Sequence, residues 1–342
     1  MRTGYGVVQA HHKHNLPGHP ENARRLHSII EHLEQTQFYD SLVAIDQVIA
    51  TTDQLLRVHS QSYLDYLKRI TESGGGFLDS DTYVTQHSYE IALLASGCTV
   101  EMTNRICSGD LSNGFALVRP PGHHAGSDYG MGFCLLNNIA IAARQALVHP
   151  NIEKVMILDI DVHHGNGTQD IFAADPLVLY SSIHQYPYYP GTGHHSEIGV
   201  RDGTGTVVNV PFPPYAGDMA YASAMELVVQ PVTERYHPDM IFVSIGFDTH
   251  WADPLASTLL TLSGYHKLCS DIVSLSERIC EGRVIFVLEG GYDPDVLGYA
   301  AENVFRALLM QPDPIDPLGQ APRSEVSCAP YIQAVRQVHQ IN

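Results

Sequence analysis

The sequence predicts an α/β protein, a single domain in which a mostly parallel sheet carries helices on both faces. Short runs of β-branched and aliphatic residues alternate with stretches of helical spacing, which is typical of parallel sheets. The run over 154–158 is apolar on both faces, as expected for a strand covered on both sides. A chain of 342 residues that is 44% hydrophobic and 16% charged can bury a sizeable core.

The predicted elements alternate along the chain. Apolar residues at helical spacing predict a helix from about residue 21 and further helices over 52–70, 87–106, 216–236 and 263–280. Two more helices are predicted, one that ends near residue 148 and one that begins after residue 293. Runs rich in Val, Ile and Leu predict strands over 115–118, 154–158, 177–183, 206–210, 240–245 and 283–288. Since no repeat or boundary is visible, we expect one domain over 1–342. Its core should cover about 19–310, and a Pro-rich linker and terminal segment should occupy 311–342.

The composition excludes several classes of protein. A formal charge of −18 leaves no basic patch to neutralise phosphates, so we do not expect direct nucleic acid binding. No signal peptide or membrane-length apolar run is visible, so we expect a cytoplasmic protein without membrane contact. The six cysteines lack paired spacing and are expected to be reduced core residues. The clusters at 11–14 and 194–195 are expected to be histidines of solvated loops.

The strand at 154–158 ends in an unusual concentration of polar groups. Asp159, Asp161 and His163 alternate along an extended backbone, so their side chains can converge on one face. A Gly-Asn-Gly turn follows, centred on Asn166. Ligands of open α/β sheets bind beyond the carboxyl ends of the strands, and this position therefore favours a metal site.

Three other predicted strands also end in groups that can do chemistry. His123 and His124 follow the strand at 115–118, Asp248 follows 240–245, and Tyr292 follows 283–288. Each of these motifs, taken alone, is more often a structural turn than part of a functional site. Because the carboxyl ends of parallel strands lie along one edge of a sheet, these groups can meet in one pocket, where they would support metal-assisted hydrolysis.

The types of residue suggest a role for each group in metal-assisted hydrolysis. Two carboxylates and an imidazole, from Asp161, His163 and Asp248, would hold a divalent ion and leave an open position for water. The histidine pair would act as general base and acid, with Asp159 and Asn166 as the acceptors that orient the rings. Tyr292 would donate a hydrogen bond to the developing oxyanion.

With these residues in place, the chain resembles the zinc-dependent histone deacetylases and the bacterial histone deacetylase-like amidohydrolases, which have the arginase–deacetylase fold. The resemblance extends in order over roughly 19–300. Asn166 and Glu289 resemble the class II branch. The matching stretches are 119–126, 132–134 with 137–138, 159–167, 182–184, 246–248 with 253–254, and 289–292.

The resemblance implies one catalytic Zn²⁺ on Asp161, His163 and Asp248, with Fe²⁺ as an alternative metal. It also implies a structural K⁺, held largely by main-chain oxygens. The cation's residues would be Asp159, Asp161, His163, Ser182 and Ile183.

The same resemblance implies an acyl-lysine tunnel. Gly132, Phe133 and Tyr189 would line its walls, and Tyr189 stands where Phe is more usual. Arg25 would lie near its inner end, although an arginine on a helix is ordinarily a surface residue. Asp81 would be a rim residue that accepts a substrate backbone N–H.

The substrate is less well defined by the sequence. Polyamine-specific relatives carry a gatekeeper Glu where this chain has Leu255, which favours an acyl-lysine protein or peptide over a small acylated amine. A two-metal phosphoesterase would fit Asp161-Val162-His163, but its further bridging segments are missing. A non-hydrolytic acyl-lysine binder would be expected to have lost a ligand, a base or Tyr292. The acyl length and the oligomeric state stay open.

Overall fold

The computed structural model describes residues 2–341, and their main feature is a parallel sheet. Its strands and those of a small hairpin are β1 (Thr3–Val7), β2 (Val43–Ala44), β3 (Gly75–Phe77), β4 (Tyr83–Thr85), β5 (Asn113–Leu117), β6 (Val155–Asp159), β7 (Val178–Gln185), β8 (Val207–Phe212), β9 (Met240–Ile245) and β10 (Val284–Leu288). The sheet has eight strands in the order β2-β1-β5-β10-β9-β6-β7-β8. Each neighbouring pair is parallel, and only β3 and β4 pair separately, in antiparallel fashion.

Helices connect these strands. They are α1 (Arg24–Gln35), α2 (Thr52–Leu55), α3 (Gln61–Glu72), α4 (Ser88–Cys107), α5 (Asn138–Ala146), α6 (Asn166–Phe172), α7 (Asp218–Ala224), α8 (Gln230–Tyr236), α9 (Leu262–Cys280), α10 (Pro294–Leu308) and α11 (Ala329–Val338). Short 3₁₀ turns cover Gln9–Lys13, Phe38–Ser41 and Arg201–Gly203, and a π-helical turn, Met225–Val229, joins α7 to α8. Among the residues described, no helix is both long and apolar enough to cross a membrane.

The sheet separates two apolar cores. Met156 and Leu158 of β6 point into the core formed with α1 and α7–α11. Val155 and Ile157 alternate with them and point into the core formed with α2–α6. Strands covered on both faces are mostly apolar, and β6 is apolar at every position before Asp159. The predicted fold class is therefore confirmed.

The structure corrects several predicted elements. The helix expected over 52–70 is two helices, because Ser60 caps the start of α3 by accepting a hydrogen bond from the Tyr63 N–H. The helix expected over 216–236 starts at Asp218 and contains the π-helical turn. The short strands β1 and β2 and the helix α11 lie in segments for which the sequence predicted no element. Ile332 and Val335 of α11 are buried in the first core, so the chain after 311 packs on the domain.

The prediction of a solvated loop at residues 11–14 was wrong for His11 and His14, whereas His12 and Lys13 are exposed. His11 and His14 are buried, and His14 Nδ1 lies 2.6 Å from the Ser88 hydroxyl. The local sequence is polar, but tertiary contacts cover these two side chains. The six cysteines are free, and all but the half-buried Cys107 are buried, as expected of reduced core residues.

Candidate active site and metal centre

The four strands that the sequence singled out are neighbours in the sheet. In the order β5-β10-β9-β6, the loops that follow them carry the histidine pair, Tyr292, Asp248 and the Asp161–His163 motif. All four strands are parallel, so these loops emerge at one edge. Residues far apart in sequence are thereby brought into one buried site.

Asp161, His163 and Asp248 form a compact set of donor atoms. One ligand atom from each lies within 4.8 Å of the others. His163 Nδ1 is 3.2 Å from Asp161 Oδ1 and 3.3 Å from Asp248 Oδ2. The backbone N–H groups of Gly290 and Val162 donate to the remaining carboxylate oxygens, Asp161 Oδ2 and Asp248 Oδ1. These two backbone donors thus hold both carboxylates with one oxygen of each directed at the imidazole.

This donor set fits a divalent cation. Asp248 Oδ2 is fully buried and accepts no hydrogen bond. Burial and then the nearby Asp161 carboxylate raise the pKa of Asp248, and the opposing effect of His163 is smaller. Two carboxylates and one imidazole match the mixed O and N ligands of catalytic zinc sites.

The two histidines of the pair have different partners. His123 Nδ1 lies 3.0 Å from Asp159 Oδ2, whereas His124 Nδ1 lies 2.8 Å from the neutral Asn166 Oδ1. Burial opposes the charge of His123, but Asp159 and Asp161 outweigh burial and raise its pKa to about 10. Burial and the neighbouring His123 hold the pKa of His124 well below its usual range. The two imidazoles therefore differ strongly in basicity, with ring centroids only 4.0 Å apart.

Glu289 and Arg25 support the site from behind. Glu289 accepts hydrogen bonds from the N–H groups of Gly122 and His123, at 2.6 and 3.1 Å, and from the Ser244 hydroxyl. Arg25 is buried, and it donates to the carbonyl oxygens of Gly291 and Glu289 at 2.5 Å. The surface reading of Arg25 was therefore wrong. In the sequence, Glu289 marks only the resemblance to the class II branch, and no local pattern predicts its role in fixing the histidine loop.

Tyr292 lies between the tunnel wall and Arg25. Its ring packs edge-on against Phe133 with centroids 5.9 Å apart, and the Arg25 guanidinium lies 4.9 Å from its centroid. Asp253, which the sequence analysis had not assigned to the site, accepts a 2.6 Å hydrogen bond from the Tyr292 N–H. Gly291 has φ +110°, which an L-residue rarely adopts, and permits the turn that directs Tyr292 into the site. Burial raises the pKa of Tyr292, so its hydroxyl keeps its proton.

The tunnel residues of the sequence prediction also lie together. At Gly132, with φ +54°, a Cβ atom would come within 2.4 Å of the His124 ring, so only glycine fits. The Tyr189 ring meets His124 and His163 edge-on, at 5.3 and 6.0 Å. Tyr188, which the sequence analysis left unassigned, stacks on His163 with centroids 5.6 Å apart.

Two rim residues lie close to this wall. The Tyr188 hydroxyl donates a 2.7 Å hydrogen bond to the carbonyl oxygen of Leu255. Asp81 is exposed and precedes Thr82, whose hydroxyl accepts a hydrogen bond from the Phe133 N–H at 3.0 Å. Leu255 is thus a neighbour of Tyr188, and Asp81 adjoins the residue that bonds Phe133, while their rim role stays a prediction.

The five residues named for the structural cation lie on the neighbouring strands β6 and β7 and in the loop that follows β6. Asp159 of β6 is the register partner of Ser182 of β7, and Ile183 follows. The Ser182 hydroxyl lies 2.8 Å from His184 Nδ1. The structure thus brings Asp159, Asp161, His163, Ser182 and Ile183 together, while K⁺ itself stays a prediction.

Fold and site together point to a class: an enzyme with a candidate metal centre at the carboxyl edge of a parallel sheet. The histone deacetylase domain family matches residues 19–308, and the chain belongs to this family. It is similar to a probable deacetylase of Archaeoglobus fulgidus, at 38% identity over 90% of this chain and 86% of that protein. It is also similar to histone deacetylase 14, chloroplastic, of Arabidopsis thaliana, at 37% identity over 86% and 74% of the two chains.

A solved structure agrees with this assignment. The crystal structure of the HDA15 HD domain superposes with a TM-score of 0.90 at 34% identity, covering 98% of this chain and 96% of that one. The predicted family and fold are therefore confirmed. The chain is an enzyme of a hydrolase family that acts on acetyl-amides.

Proposed function

We propose that this enzyme is a zinc-dependent amidohydrolase that removes acetyl or longer acyl groups from lysine side chains. The observation that carries the proposal is the buried donor set of Asp161, His163 and Asp248, with its bare Asp248 Oδ2, beside the histidine pair. When bound, zinc would polarise the amide carbonyl and make water a better nucleophile. Fe²⁺ would suit the same ligands.

The protein's own residues would move the proton. His124 is oriented by a neutral amide, so its free nitrogen can accept a proton from the attacking water and return it to the departing lysine amine. His123 is held by the Asp159 carboxylate and would carry a positive charge beside it. The C–N bond then breaks to give the free amine and the carboxylic acid.

Tyr292 would donate a hydrogen bond to the oxyanion, and this role yields a prediction. Tyr292→Phe removes only the hydroxyl and should lower kcat by about 10²–10³-fold, the usual loss for one oxyanion donor. Zinc content and binding of a zinc-chelating inhibitor should stay at the parent level. Steady-state kinetics with metal analysis check this, with Tyr236→Phe as a matched loss of a hydroxyl bonded away from the site, to the Pro176 carbonyl oxygen. Parent-like turnover by Tyr292→Phe would contradict the role.

The tunnel favours an extended acyl-lysine. Aromatic rings of Phe133, Tyr189 and His163 flank the route to the donor set and would pack against the methylene chain of lysine. Leu255 at the rim offers no charge to the distant ammonium of a polyamine. The Tyr189 hydroxyl makes this wall more polar than a phenylalanine would.

The deciding experiment is an acid-release assay on the zinc-loaded enzyme. It compares acetyl-lysine peptides, longer acyl-lysine peptides and acetylated polyamines, with a chelated control. We expect chelator-sensitive release from peptides, and a shift towards polyamines in Leu255→Glu. Preferential turnover of polyamines by the parent, with no effect of Leu255→Glu, would overturn the proposed substrate class. Phosphate release in a parallel phosphoester assay would instead support the phosphoesterase reading.

We further propose that the enzyme works in the cytoplasm and that K⁺ stabilises the ends of β6 and β7. The location rests on the sequence only, and the Arabidopsis relative is named chloroplastic. The cation proposal is supported by the adjacency of Asp159 and Ser182 in register. Replacing potassium with lithium should then lower the thermal unfolding temperature, and an unchanged temperature would count against the site.

A further inference from the structure

A directional chain of hydrogen bonds runs from the catalytic pocket to the protein surface. His124 Nδ1 lies 2.8 Å from Asn166 Oδ1, and the Asn166 Nδ2 donates to the Tyr129 hydroxyl at 3.2 Å. The Tyr129 hydroxyl in turn donates to Asp170 Oδ2 at 2.6 Å. An exposed carboxylate therefore lies at the outer end of a chain whose inner end is the histidine proposed to move the proton.

The local structure holds Tyr129 in this place. Asn166 and Asp170 are one turn apart on α6, so they share a face, and the Tyr129 hydroxyl bridges the two side chains. The Tyr129 ring lies directly on Gly126, where a Cβ atom would come within 2.3 Å of a ring carbon. The bare glycine leaves room for the ring.

The chain of bonds matters because an asparagine amide can present either its oxygen or its nitrogen. Asp170 can only accept, so the Tyr129 O–H must point towards it and its oxygen is free to accept from Asn166 Nδ2. Asn166 Oδ1 then faces His124, whose Nδ1 must carry a hydrogen. The other imidazole nitrogen, Nε2, is left without a hydrogen and can accept a proton.

We propose that Tyr129 and Asp170 are positioning residues of the active site, which set the tautomer of His124 through the orientation of the Asn166 amide. The inference rests on the proposed function for its effect on turnover. The tautomer itself can be measured without any turnover. Neither residue touches the donor set for the metal, so zinc content should not depend on them.

The kinetic test uses Tyr129→Phe, which keeps the ring on Gly126 and removes the hydroxyl. We expect kcat for an acetyl-lysine peptide to fall about 10-fold, as for other residues that orient a ligand or base, with KM and zinc content unchanged. Asp170→Asn should give a smaller loss in the same direction. Tyr236→Phe is the control and should match the parent.

Repeating Tyr129→Phe in a second variant, Asn166→Asp, shows whether Tyr129 positions the Asn166 amide or only supports the structure. In the Asn166→Asp background both oxygens can accept from His124, so the orientation of the side chain no longer needs Tyr129. Adding Tyr129→Phe there should cost about 2-fold or less, because the coupled interaction is already gone. An equal loss of kcat in both backgrounds, or parent-like kcat for Tyr129→Phe, would overturn the inference.

The spectroscopic test reads the tautomer from ¹⁵N-labelled histidine side chains, with His124→Gln to assign the signals. The parent should show His124 with its hydrogen on Nδ1, and Tyr129→Phe should shift population to the Nε2–H form. An unchanged tautomer in Tyr129→Phe would overturn the inference, whatever the turnover. A parent that releases no acid from any substrate would instead overturn the proposed function, and the tautomer measurement would still decide this one.

Discussion

Two buried clusters of ionisable side chains in this enzyme differ in how the protein compensates their charge. In one cluster, Glu21 accepts two 2.8 Å hydrogen bonds from Arg119, a further bond from the Tyr83 hydroxyl and one from Arg25. Arg119 also donates to the carbonyl oxygens of His11 and His14. In the other cluster, Asp161 and Asp248 face the His163 imidazole, and Asp161 Oδ1 also lies 3.9 Å from His123 Nε2. Asp248 Oδ2 accepts no hydrogen bond.

The electrostatics of the clusters follow these contacts. Burial disfavours the charge of Glu21, but Arg119 and His14 together outweigh burial and hold the pKa of Glu21 well below its usual range. For Asp248, burial and the Asp161 carboxylate act together and raise the pKa. The Glu21 cluster is complete within the protein and fixes the N-terminal loop against β5. The Asp161–Asp248 cluster keeps a buried carboxylate oxygen that accepts no hydrogen bond, which is the arrangement expected of the proposed cation site.

The largest effect we expect is for Asp248→Asn, which removes one charge and changes little else. Hydrolysis should fall by more than the roughly 10²–10³-fold typical of one oxyanion donor, because the site would lose its zinc. The metal-free variant should be at least as stable as the metal-free parent, because a repulsion between carboxylates is gone. Metal analysis, kinetics and urea unfolding in chelator would check these outcomes. Stoichiometric zinc in Asp248→Asn would contradict the ligand assignment.

The sequence could predict the second cluster better than the first. Asp161, His163 and Asp248 end strands, and parallel topology alone brings strand ends to one edge. The sheet prediction followed from the same alternation. The Glu21–Arg119 pair could not be predicted, since it joins a loop before α1 to the loop after β5, and no local pattern relates the two.

Other omissions have similar physical causes. Strand β1 contains two glycines in five residues and gives a weak strand signal, and pairing with β5 decides its conformation. Tyr129 precedes a glycine in a loop and gave no signal by itself. Its role depends on the spacing of Asn166 and Asp170 on α6, and the sequence analysis had not predicted that helix.

Replacing a carboxylate by an amide in the Glu21 cluster, as in Asp248→Asn, tests the comparison between the two clusters directly. Glu21→Gln should lower the free energy of unfolding by about 3–5 kcal/mol, because Arg119 would be left buried without a counter-charge. Zinc binding should persist below the unfolding transition. Urea unfolding of Glu21→Gln and Asp248→Asn in parallel, both metal-free, is the measurement. Equal destabilisation by the two variants would show that the clusters do not differ as argued.

His59 is a third buried titratable group, and here the fold keeps the side chain neutral instead of compensating its charge. His59 Nδ1 lies 2.9 Å from the Gly126 carbonyl oxygen, and Nε2 accepts from the Asn137 N–H at 3.0 Å, so a proton on Nε2 would break the second bond. Burial lowers the pKa of His59 to about 4. Above pH 6.5 the His59 side chain is neutral in both the folded and the unfolded protein. Between pH 6.5 and about 4 only the unfolded form takes up the proton, so stability falls with falling pH.

The smallest predicted effect is this slope, at most about 1.4 kcal/mol per pH unit for one proton. His59→Gln can keep a donor and an acceptor at the same place but cannot take up a proton, so its stability should depend less on pH between 6.5 and 4. The measurement is the difference in unfolding free energy between parent and variant at several pH values, which cancels the contribution of other histidines. His27→Gln, on the exposed side of α1, is the control and should leave the slope unchanged. If His59→Gln kept the full parental slope, His59 would have to be protonated in the fold, and a buried group here would need charge compensation, as the Asp161–Asp248 cluster does.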